Sequence, residues 1–596
     1  MSNSESRKLA ELAKRRGFFL PSNEIYGGAA GFYTYGPEGA ALKRHLEDAW
    51  RDRFTVKEGN QEIEAPTIMP EAVFEASGHL DTFDDMLVEC ADCGESHRAD
   101  HLIEDNTKIE DAEALEIADV EELIREHELV CPACGAALSG EPVSDFNLMF
   151  ETTIGPGSGQ SGYMRPETAQ GIFVEFPQLA EYARNQLPFG VTQIGPAYRN
   201  EISPRRGVIR VREFTQAELE LFINPERNEP DLSQVADVEL TLYPIENQRE
   251  EGSEYVEKTV GEAVEDGTIA SDWVAYYLGI AQEWYERVGV DTDRFRFRQH
   301  LPGERAHYAS DCWDAESELG GDWVEIAGFA YRGDYDLSKH AEHSGQDFTV
   351  FEQYDEPITA ERATVDPDMS YLGPEFGGKA GEIADTLETL AERDRAAFDD
   401  ESVTVDVGDE SHEVPVEKTG FSVEEVTESG EHITPHVIEP SFGVGRTLYT
   451  LVAHAYGEDE VEGEERTYLS LAPEMAPTTV GVFPLMDRDG LGDRAREIAD
   501  ELREAGLEVA YDDSGNIGRR YRRQDEVGTP FCVTVDYESQ ENETVTVRER
   551  DSTTQIRVPT ADLTELLTDL RNGVRSFDEV RGGYEELSES PANPAE

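Results

Sequence analysis

Cationic, aromatic and acidic side chains alternate along residues 198–221 in a pattern that suits a nucleotide. Tyr198-Arg199-Asn200-Glu201 is followed by a Pro/Arg/Gly turn at 203–207 and then by VIRVREFTQAELELF. Successive strand residues face opposite sides, so one face of the second piece carries Arg210, Arg212, Phe214, Gln216 and Glu218. Arginine forks bind phosphate oxygens, and aromatic rings stack on purines. The pattern predicts a hairpin with a nucleotide site, although a solvated face with cross-strand ion pairs would use the same residues.

Three other segments combine glycine with charged residues. In EPSFGVGR, Glu439 and Ser441 share a strand face, the glycines permit a tight turn into a helix, and Arg446 falls in the first helical turn, where an anion binds well. The segment RPETAQG (165–171) predicts a strand end that enters a helix. The segment EIAGFAYRGDYDLSKH begins at Glu325. A G-x-G-R pattern alone is also typical of an ordinary turn.

Together with a strand predicted to end at Pro66, these segments resemble, in their order, the three signature motifs of class II aminoacyl-tRNA synthetases. RPETAQG, EFTQAELE, RGDYDLSKH and EPSFGVGR are similar, within that class, to the homodimeric type of glycyl-tRNA synthetase. The resemblance covers residues 5–575. It implies ATP-dependent attachment of glycine to tRNA(Gly) through a glycyl-adenylate, with release of pyrophosphate.

The resemblance also implies roles for individual residues. Arg199 would hold the α-phosphate, Glu201 the adenine amine and Phe214 the adenine ring. Arg446, helped by Arg210, would hold the γ-phosphate. The catalytic residues implied are Arg199, Arg446 and Glu325, the last as the carboxylate linked to Mg²⁺. The ATP-binding residues implied are Arg199, Asn200, Glu201, Ile209, Arg210, Val211, Arg212, Glu213, Phe214, Glu325, Ile326, Gly443, Val444, Gly445 and Arg446. The glycine-binding residues implied are Arg98, Glu167, Phe214, Thr215, Gln216, Ala217, Glu218, Glu439, Pro440, Ser441, Phe442 and Gly443.

The chemistry of such a site agrees with these residue types. Attack of a carboxylate on an α-phosphate needs positioning and charge neutralisation more than a protein base, so arginine and Mg²⁺ should dominate. Several carboxylates around a small cavity suit an ammonium group. Glycine is selected by excluding larger side chains, so no editing domain is expected.

Four cysteines have the spacing of a metal site. Cys90-x-x-Cys93 and Cys131-x-x-Cys134 predict a tetrahedral zinc site, because paired C-x-x-C motifs in a reducing compartment usually bind zinc. The alternative is a degenerate knuckle that no longer binds metal. Cys312 and Cys532 are isolated and are expected to be packing residues.

A cationic cluster lies near the C-terminus. The segment GRRYRRQ contributes Arg519, Arg520, Arg522 and Arg523, with a tyrosine between them. Such a cluster fits phosphate contact and base stacking on a single-stranded loop, and the resemblance implies contact with the tRNA anticodon. A solvated helix face is the alternative.

The elements that must position these residues are predicted as an α/β protein. The catalytic domain is expected to be α+β on an antiparallel sheet, and the C-terminal anticodon-binding domain to be α/β with a mostly parallel sheet. The predicted boundaries are 1–85 with 146–456 for the catalytic domain, 86–145 for a zinc-binding-like insertion, 225–295 for an acidic helical insertion, 354–435 for a second acidic insertion, 475–575 for the anticodon-binding domain and 580–596 for a disordered acidic tail.

Composition limits the class of protein. The 596 residues carry a formal net charge of −77, but 38% are hydrophobic and 9% aromatic, which argues against overall disorder. Nine lysines stand against 42 arginines. Excess carboxylate with scarce lysine predicts adaptation to a cytoplasm of high salt, hence a halophilic source. No signal-peptide pattern and no apolar run of membrane-spanning length occur, so a cytoplasmic protein without a membrane partner is expected.

Two other functions fit part of the sequence. One is a class II synthetase for another small amino acid, and the other is a catalytically silent relative that binds nucleic acid and assists another enzyme. A silent relative should have lost phosphate-binding or pocket residues, yet the chain retains Arg199, Arg446, Glu167, Glu218 and Glu439. The partners expected from the leading interpretation are tRNA(Gly), glycine, ATP and a second copy of the chain.

Overall fold

The computed structural model describes residues 3–587 except for 108, 110–111, 113–114, 158, 205–206, 250–254, 302–310, 409 and 462. The chain divides into two compact units, a smaller one of residues 184–186 and 349–434 and a larger one with the rest. Within the described part of the chain, none of the helices combines the length and the apolar character that crossing a bilayer requires.

The α-helices are distributed along the whole described chain. They are α1 (Asn3–Arg16), α2 (Pro37–Trp50), α3 (Glu71–Ala76), α4 (His79–Thr82), α5 (Ala99–Asn106), α6 (Ile117–Glu126), α7 (Ala169–Phe173), α8 (Phe176–Tyr182), α9 (Ile245–Arg249), α10 (Val260–Glu265), α11 (Asp272–Val288), α12 (Tyr335–Ser344), α13 (Met369–Phe376), α14 (Ala380–Arg393), α15 (Val444–Ala455), α16 (Leu491–Glu504), α17 (Ile517–Asp525), α18 (Tyr537–Asn542), α19 (Thr560–Arg571) and α20 (Phe577–Arg581).

The strands form several separate sheets. They are β1 (Phe19–Pro21), β2 (Tyr33–Tyr35), β3 (Gln61–Glu62), β4 (Ile68–Pro70), β5 (Asp84–Glu89), β6 (Ser96–Arg98), β7 (Val143–Asn147), β8 (Phe150–Ile154), β9 (Gln160–Met164), β10 (Phe189–Tyr198), β11 (Glu213–Ile223), β12 (Glu239–Tyr243), β13 (Val256–Thr259), β14 (Phe295–Gln299), β15 (Asp311–Leu319), β16 (Asp322–Gly333), β17 (Val350–Thr364), β18 (Ser402–Val407), β19 (Glu410–Pro415), β20 (Ser422–Ile433), β21 (His436–Gly443), β22 (Tyr456–Val461), β23 (Glu464–Leu469), β24 (Val480–Pro484), β25 (Val509–Tyr511), β26 (Phe531–Val535), β27 (Thr544–Glu549), β28 (Gln555–Pro559) and β29 (Glu585–Leu587).

A nine-stranded sheet in the order β13-β12-β14-β15-β16-β21-β11-β10-β3 organises the larger unit. Its pairs are antiparallel except for β12–β14 and β10–β3. The predicted antiparallel catalytic sheet is therefore confirmed. Helices α2, α11 and α15 cover one face, where their apolar side chains join those of the strands in the main core. The opposite face is free to carry polar groups.

Strand β11 shows how the sequence divides its residues between these two faces. Ala217, Leu219 and Leu221 are buried in the main core under the helices. Because strand residues alternate, the intervening Glu218 and Glu220 face the opposite side. Both carboxylates are nevertheless almost fully buried. The polar face of this sheet is therefore a buried site and not a solvated surface.

The predicted hairpin is confirmed, but its strands are shorter than expected. The last pair of the β10–β11 ladder joins Tyr198 to Glu213, so Arg199, Arg210 and Arg212 lie in the connection and not on strand faces. The backbone N–H of Arg212 donates to the carbonyl of Gly31 at 2.8 Å, which takes the chain out of the ladder. The strand predicted to end at Pro66 is also shorter, since β3 ends at Glu62.

Residues 225–295, predicted as an acidic helical insertion, do not form a separate unit. Strands β12 and β13 belong to the nine-stranded sheet. Helix α11 contributes Val274, Tyr277 and Tyr285, among others, to the main core. Acidic residues cover the exposed side of this segment. Because they dominate its composition, the apolar side that joins the core is difficult to recognise in the sequence.

Residues 86–145 have a small core of their own. Strands β6-β5-β7 form an antiparallel sheet. Helices α5 and α6 pack with it through Ile103, Val120 and Ile124, and Cys90 and Cys131 belong to the same buried cluster.

The smaller unit covers the region that the sequence predicts as a second acidic insertion. Strands β17 and β20 form a two-stranded antiparallel ribbon, in which Val350 at the start of one strand pairs with Ile433 at the end of the other. Beyond the ribbon, α14 packs against the β18–β19 hairpin around Ile383, Leu387 and Val403.

The C-terminal domain has a six-stranded sheet in the order β25-β24-β26-β27-β28-β29. The pairs β24–β25 and β24–β26 are parallel, but the other three are antiparallel. The prediction of a mostly parallel sheet is therefore wrong, because the strand–helix alternation ends at β26 and a hairpin follows. The predicted tail is also partly ordered, since Glu585–Leu587 pairs with Gln555–Arg557. Residues 588–596 lie outside the described residues.

Candidate active site

A cavity of about 580 Å³, including its open mouth, lies on the polar face of the central sheet. It is lined by Arg199, Glu201, Val208, Ile209, Arg210, Val211, Phe214, Thr215, Gln216, Glu325, Ile326, Ala327, Ser441, Gly443, Gly445 and Arg446. Strands β11, β16 and β21 are adjacent in the sheet. Their side-by-side pairing brings together motifs that are more than 200 positions apart in sequence.

Arg199 lies between two aromatic rings at one side of the cavity. Its guanidinium carbon is 5.3 Å from the ring centroid of Phe83 and 5.4 Å from that of Phe214. Its Nε donates to the carbonyl oxygen of Pro166 at 3.2 Å. Stacked contacts of this kind stabilise the cation and fix its position. The ring of Phe214 is thus already covered by a cation in the free protein.

The connection between β10 and β11 is held together by arginines. Nε and an Nη of Arg212 donate to the backbone oxygen of Glu201 at 3.1 and 2.8 Å. The Glu201 carboxylate lies 3.7 Å from Nε of Arg210. Burial, together with the nearby charges of Arg98 and Arg446, lowers the pKa of Arg210 despite the proximity of Glu201. Cations therefore crowd around this side of the cavity, as an anionic ligand requires.

Arg446 reaches the opposite side of the cavity from the start of α15. Its Nη1 lies 3.0 Å from a carboxylate oxygen of Glu325 and donates to the Glu325 backbone oxygen at 2.9 Å. The charge of Arg446 lowers the pKa of Glu325, although burial opposes the shift. A Cβ at Gly445 would lie 2.8 Å from the Tyr35 hydroxyl, so a larger residue at the start of α15 would have to displace that side chain.

Glu218 forms the acidic floor beside this cavity. Its carboxylate accepts hydrogen bonds from Thr168 and, at 2.7 Å, from Ser441, which is its cross-strand neighbour on β21. Burial, together with the nearby charge of Glu167, raises the pKa of Glu218. The strand pairing therefore brings two of the residues predicted to bind glycine, Glu218 and Ser441, into contact.

Glu167 approaches the same floor from the segment before α7. Its carboxylate accepts from Nε2 of Gln170 at 2.9 Å and lies 3.7 Å from Nε2 of His79. Burial alone would raise the pKa of Glu167, but His79 and the positive charge of Arg332 lower it below its ordinary value. His79 and Gln170 are site residues that the sequence analysis did not identify.

Glu439 is held by an arginine that the sequence analysis also missed. Nη1 of Arg332 donates to both oxygens of Glu439 at 2.9 Å, while its Nε and Nη2 donate to Asp336 at 2.7 and 3.0 Å. Burial raises the pKa of Glu439 to about 8 despite Arg332. Arg332 and Asp336 both belong to the RGDYDLSKH motif. The charged residues of that motif were the feature of the sequence that could have indicated their role.

Arg98, predicted to contact glycine, is engaged within its own module. Its Nη1 lies 3.1 Å from Asp85, and its Nε donates to the Asp100 carboxylate at 3.1 and 3.2 Å. Its charge nevertheless reaches Arg210. Its role in binding glycine stays a prediction.

Several predicted residues turn their side chains away from the cavity. Ala217, Phe442 and Val444 are buried in the main core beneath the sheet. Pro440 faces the same side as Phe442 by strand alternation. The resemblance implies whole runs of consecutive residues as ligand contacts. On a strand, however, only every second side chain can face the site. Any contact of these four residues with a ligand would be made through the backbone, and their roles in binding stay a prediction.

The four cysteines meet in residues 86–145. Sγ of Cys90 lies 3.6 Å from Sγ of Cys134, Sγ of Cys93 lies 3.7 Å from Sγ of Cys131, and ligand atoms of all four lie within 4.8 Å of one another. A zinc tetrahedron with bonds of about 2.3 Å has edges of about 3.8 Å. The donor set therefore fits zinc. Nε2 of His97 lies 3.2 Å from Sγ of Cys131, where it could orient that ligand.

The arginine cluster of α17 is mostly engaged by its own domain. Arg520 is buried and donates to the carbonyls of Pro484, Asp513, Ser514 and Gly515.

The three other arginines of α17 differ from one another in exposure and partners. Arg523 binds Asp512, and Arg522 lies 3.3 Å from Glu464. Arg519 is exposed, and its guanidinium has no ion pair or hydrogen bond to any residue that the structure describes. Of the four predicted anticodon contacts, Arg519 is the one available to a ligand.

Comparison with known proteins identifies similar chains over both domains. Residues 156–455 match the model of the tRNA synthetase class II core domain (G, H, P, S and T), and residues 479–570 match that of the anticodon binding domain.

Relatives from several archaea match almost the whole chain. A protein named glycine–tRNA ligase from Methanothrix thermoacetophila is 50% identical over 96% of this chain and 98% of its own length. Proteins of the same name from Methanocaldococcus jannaschii and Pyrococcus furiosus are 46% and 48% identical, each over 94% of this chain and 98% of their own length.

Among solved structures, a prolyl-tRNA synthetase from Cryptosporidium parvum, complexed with L-proline and AMP, has a similar fold. It is 12% identical, with a TM-score of 0.50, and the match covers 96% of this chain and 80% of that one.

Proposed function

This chain belongs to the glycine–tRNA ligase family of class II aminoacyl-tRNA synthetases, and we propose that ATP and glycine react in the cavity above its central sheet. The chain attaches glycine to tRNA(Gly) at the expense of ATP, through glycyl-adenylate and with release of pyrophosphate. The activity predicted from the sequence is thereby confirmed. The residue roles that follow are our proposal.

The observation that carries the assignment is the convergence of Arg199, Arg210 and Arg446 on one cavity beside Phe214. In the first step the glycine carboxylate attacks the α-phosphorus, and pyrophosphate leaves. Arg199 would hold the α-phosphate and Arg446 the γ-phosphate. Positioned cations stabilise the charge that develops on the phosphate oxygens, and they need no protein base.

Glu325 is the residue best suited to a magnesium ion. Its carboxylate lies at the cavity wall, and its lowered pKa keeps it ionised as a hard oxygen ligand. A bound Mg²⁺ would neutralise part of the phosphate charge during the reaction. Arg446, which pairs with Glu325 in the free protein, would then turn to the phosphates.

The carboxylates of Glu218, Glu167 and Glu439 would form the pocket for the glycine ammonium group. Ser441 lines the cavity that we assign to the adenylate, and Glu218 accepts a hydrogen bond from it. Buried carboxylates bind an ammonium ion through charge-assisted hydrogen bonds. Packing around this floor would exclude larger side chains, which is how glycine can be selected without editing.

Amino-acid-dependent exchange of pyrophosphate into ATP tests this assignment. We expect glycine, but not alanine or serine, to support exchange. Arg446→Gln should lower the exchange rate at least tenfold, because a charge-assisted contact to the phosphates is lost. Arg494→Gln, on the exposed side of α16, is the matched control. Undiminished exchange by Arg446→Gln would overturn the proposed phosphate site.

The cysteine cluster is proposed to bind a structural zinc ion through Cys90, Cys93, Cys131 and Cys134. Sulfur separations of 3.6 and 3.7 Å support this, as does the burial of Cys90 and Cys131 in the module core. In this role zinc would stabilise the fold of residues 86–145 and take no part in the reaction.

The C-terminal domain is proposed to contact the tRNA anticodon through Arg519, and through Arg522 and Arg523 after their ion pairs open. The match to an anticodon binding domain supports this, as does the exposure of Arg519. Arg520, also predicted to contact the anticodon, is better explained as a structural residue because it is buried.

The chain is further proposed to act as a homodimer in a salt-rich cytoplasm. The resemblance to the homodimeric type supports the dimer and implies that the segment around Pro66 takes part in it. In that segment the apolar Ile68 is 45% exposed. The net charge of −77 supports adaptation to high salt. Light scattering at molar KCl would test the dimer.

A further inference from the structure

Glu220 is a buried acid next to the proposed glycine pocket that the proposed mechanism does not use. It follows Glu218 by two positions on β11 and faces the same side of the sheet. Its side chain is fully buried, and neither of its carboxylate oxygens forms a hydrogen bond with any residue that the structure describes. A buried carboxylate without partners is so unfavourable that it takes up a proton.

The cross-strand neighbour of Glu220 is a second acid. The register of β11 on β21 pairs Leu221 with Ile438, which puts Glu220 opposite Glu439. The Cβ atoms of directly opposite residues lie about 4.5–5.5 Å apart. Two carboxylates at this separation in a buried site repel strongly when both are ionised, so their protonation is coupled.

The guanidinium nearest this pair belongs to Arg332. Arg332 donates to Glu439 on one side and to Asp336, at the start of α12, on the other. Glu218 adds a further carboxylate on the same sheet face as Glu220. Arg165 faces Glu218, and Glu167 with His79 lies beside them. Five acids therefore face two guanidinium groups and one imidazole, and the negative charge exceeds the positive charge unless at least one acid keeps its proton.

The remaining charged groups near the pair come from the segments packed over the sheet. Glu167 acts on Glu439 from the segment before α7, and its own partner is His79. Burial and the facing Glu439 raise the pKa of Glu220 well above its ordinary value. Burial likewise raises the pKa of Glu439 to about 8. Both shifts agree with the count of charges.

We propose that Glu220 and Glu439 hold a shared proton in the free protein and release it when an ammonium group enters the pocket, so that glycine binds in exchange for a proton. The inference rests on the proposed location of the glycine pocket. The incoming ammonium supplies the positive charge that the cluster lacks, and the second carboxylate can then ionise. Glu220 is in this sense a positioning residue, which acts through Glu439 and need not touch the substrate.

Calorimetry of a tight, unreactive ligand tests the exchange. The probe is glycyl-sulfamoyl-adenosine, titrated at pH 7 in two buffers that differ in ionisation enthalpy. We expect the release of about one proton per ligand bound, because binding shifts the protonation of a linked group. Adenosine 5′-sulfamate, which lacks the glycine ammonium, should release none. If the glycyl ligand binds the protein without releasing a proton, the inference is wrong.

The variant Glu220→Gln tests whether the released proton depends on Glu220. This substitution keeps the volume but cannot ionise, so we expect the glycyl ligand to bind with proton release reduced by at least half. Glu283→Gln, an exposed substitution on α11, should release as many protons as the unmodified protein. Undiminished release by Glu220→Gln would overturn the role of Glu220.

Two further measurements distinguish a failure of this proposal from a misplaced glycine pocket and from a variant that does not fold. If glycyl-sulfamoyl-adenosine binds no more tightly than the sulfamate alone, the glycine pocket itself is misplaced, and both proposals fail. Infrared difference spectra of the unmodified protein need no variant. They should show loss of a carboxylic acid carbonyl band when the glycyl ligand binds, and a band that persists would contradict proton release.

Discussion

The arginines of the cavity are each engaged in the free protein by a group that a nucleotide could replace. Arg199 stacks on Phe214, Arg210 lies near Glu201, and Arg446 pairs with Glu325. Without these contacts, several buried cations would repel one another and destabilise the site. ATP must break them, which lowers net affinity but leaves the cations already close to their working positions.

The proposed glycine pocket gives the sharpest prediction for a single residue. Glu218→Gln keeps the volume of the side chain but removes a charge that would face the ammonium group. A charge-assisted hydrogen bond contributes about 1.5–3 kcal/mol, so kcat/KM for glycine should fall about 10- to 100-fold. The KM for ATP should barely change. Pyrophosphate exchange at varied glycine and ATP concentrations measures both.

Alanine provides a second readout for the same variant. Its methyl group is excluded by shape and not by charge, so alanine should remain a poor substrate in both proteins. Glu283→Gln serves as the control for removal of an exposed acid. A Glu218→Gln protein that used glycine as well as the unmodified protein would show that the ammonium group binds elsewhere.

The elements of the site differ in how far local sequence determines them. The facing of Glu218 and Phe214 on β11 could be predicted, because strand alternation is a local rule. The end of β10 at Tyr198 could not, because it depends on the bond from Arg212 to Gly31, which is remote in sequence. The role of Arg332 could not be predicted either, because its partner Glu439 is brought near only by the pairing of β16 with β21.

Helix α17 predicts a division of labour between neighbouring arginines. Arg519→Gln should weaken tRNA charging several-fold but leave glycine-dependent pyrophosphate exchange unchanged, because an exposed contact to phosphate is lost. Arg520→Gln should instead lower the free energy of unfolding by roughly 2–3 kcal/mol, because buried carbonyls lose their donors. Charging assays and thermal denaturation separate the two effects. Equal charging by the Arg519 variant would contradict the proposed anticodon contact.

The cysteine module predicts a defined metal content. Protein purified without chelators should contain about one zinc ion per chain. Cys131→Ser should lower that content and increase hydrogen exchange within residues 86–145. The control variant Cys532→Ala replaces a buried cysteine of the C-terminal domain, and this protein should retain its zinc. Native protein that contained no zinc would show that the cysteines bind no metal.

The surface of the whole molecule carries a charge that dilute solution would not screen. Between 1 M and 0.1 M salt the Debye length rises from about 3 to about 10 Å. Repulsion among the excess carboxylates, which give the net charge of −77, therefore acts over longer distances. We expect both the midpoint of thermal unfolding and the activity to fall as KCl is removed. Circular dichroism and pyrophosphate exchange across a KCl series measure this, with choline chloride at equal ionic strength as the control. Full stability in dilute buffer would contradict salt adaptation.

The base of the β17–β20 ribbon has a consequence for how this molecule could have been assembled. Val350 and Ile433 form a cross-strand pair there, so the two ends of the segment 349–434 are neighbours. A two-residue Asn-Gly turn could therefore close the ribbon in its place. At the level of the gene, a single insertion or deletion could therefore add, lengthen or remove the segment between Val350 and Ile433. The register of β21, which begins just beyond it and carries Glu439 and Ser441, would survive each such event.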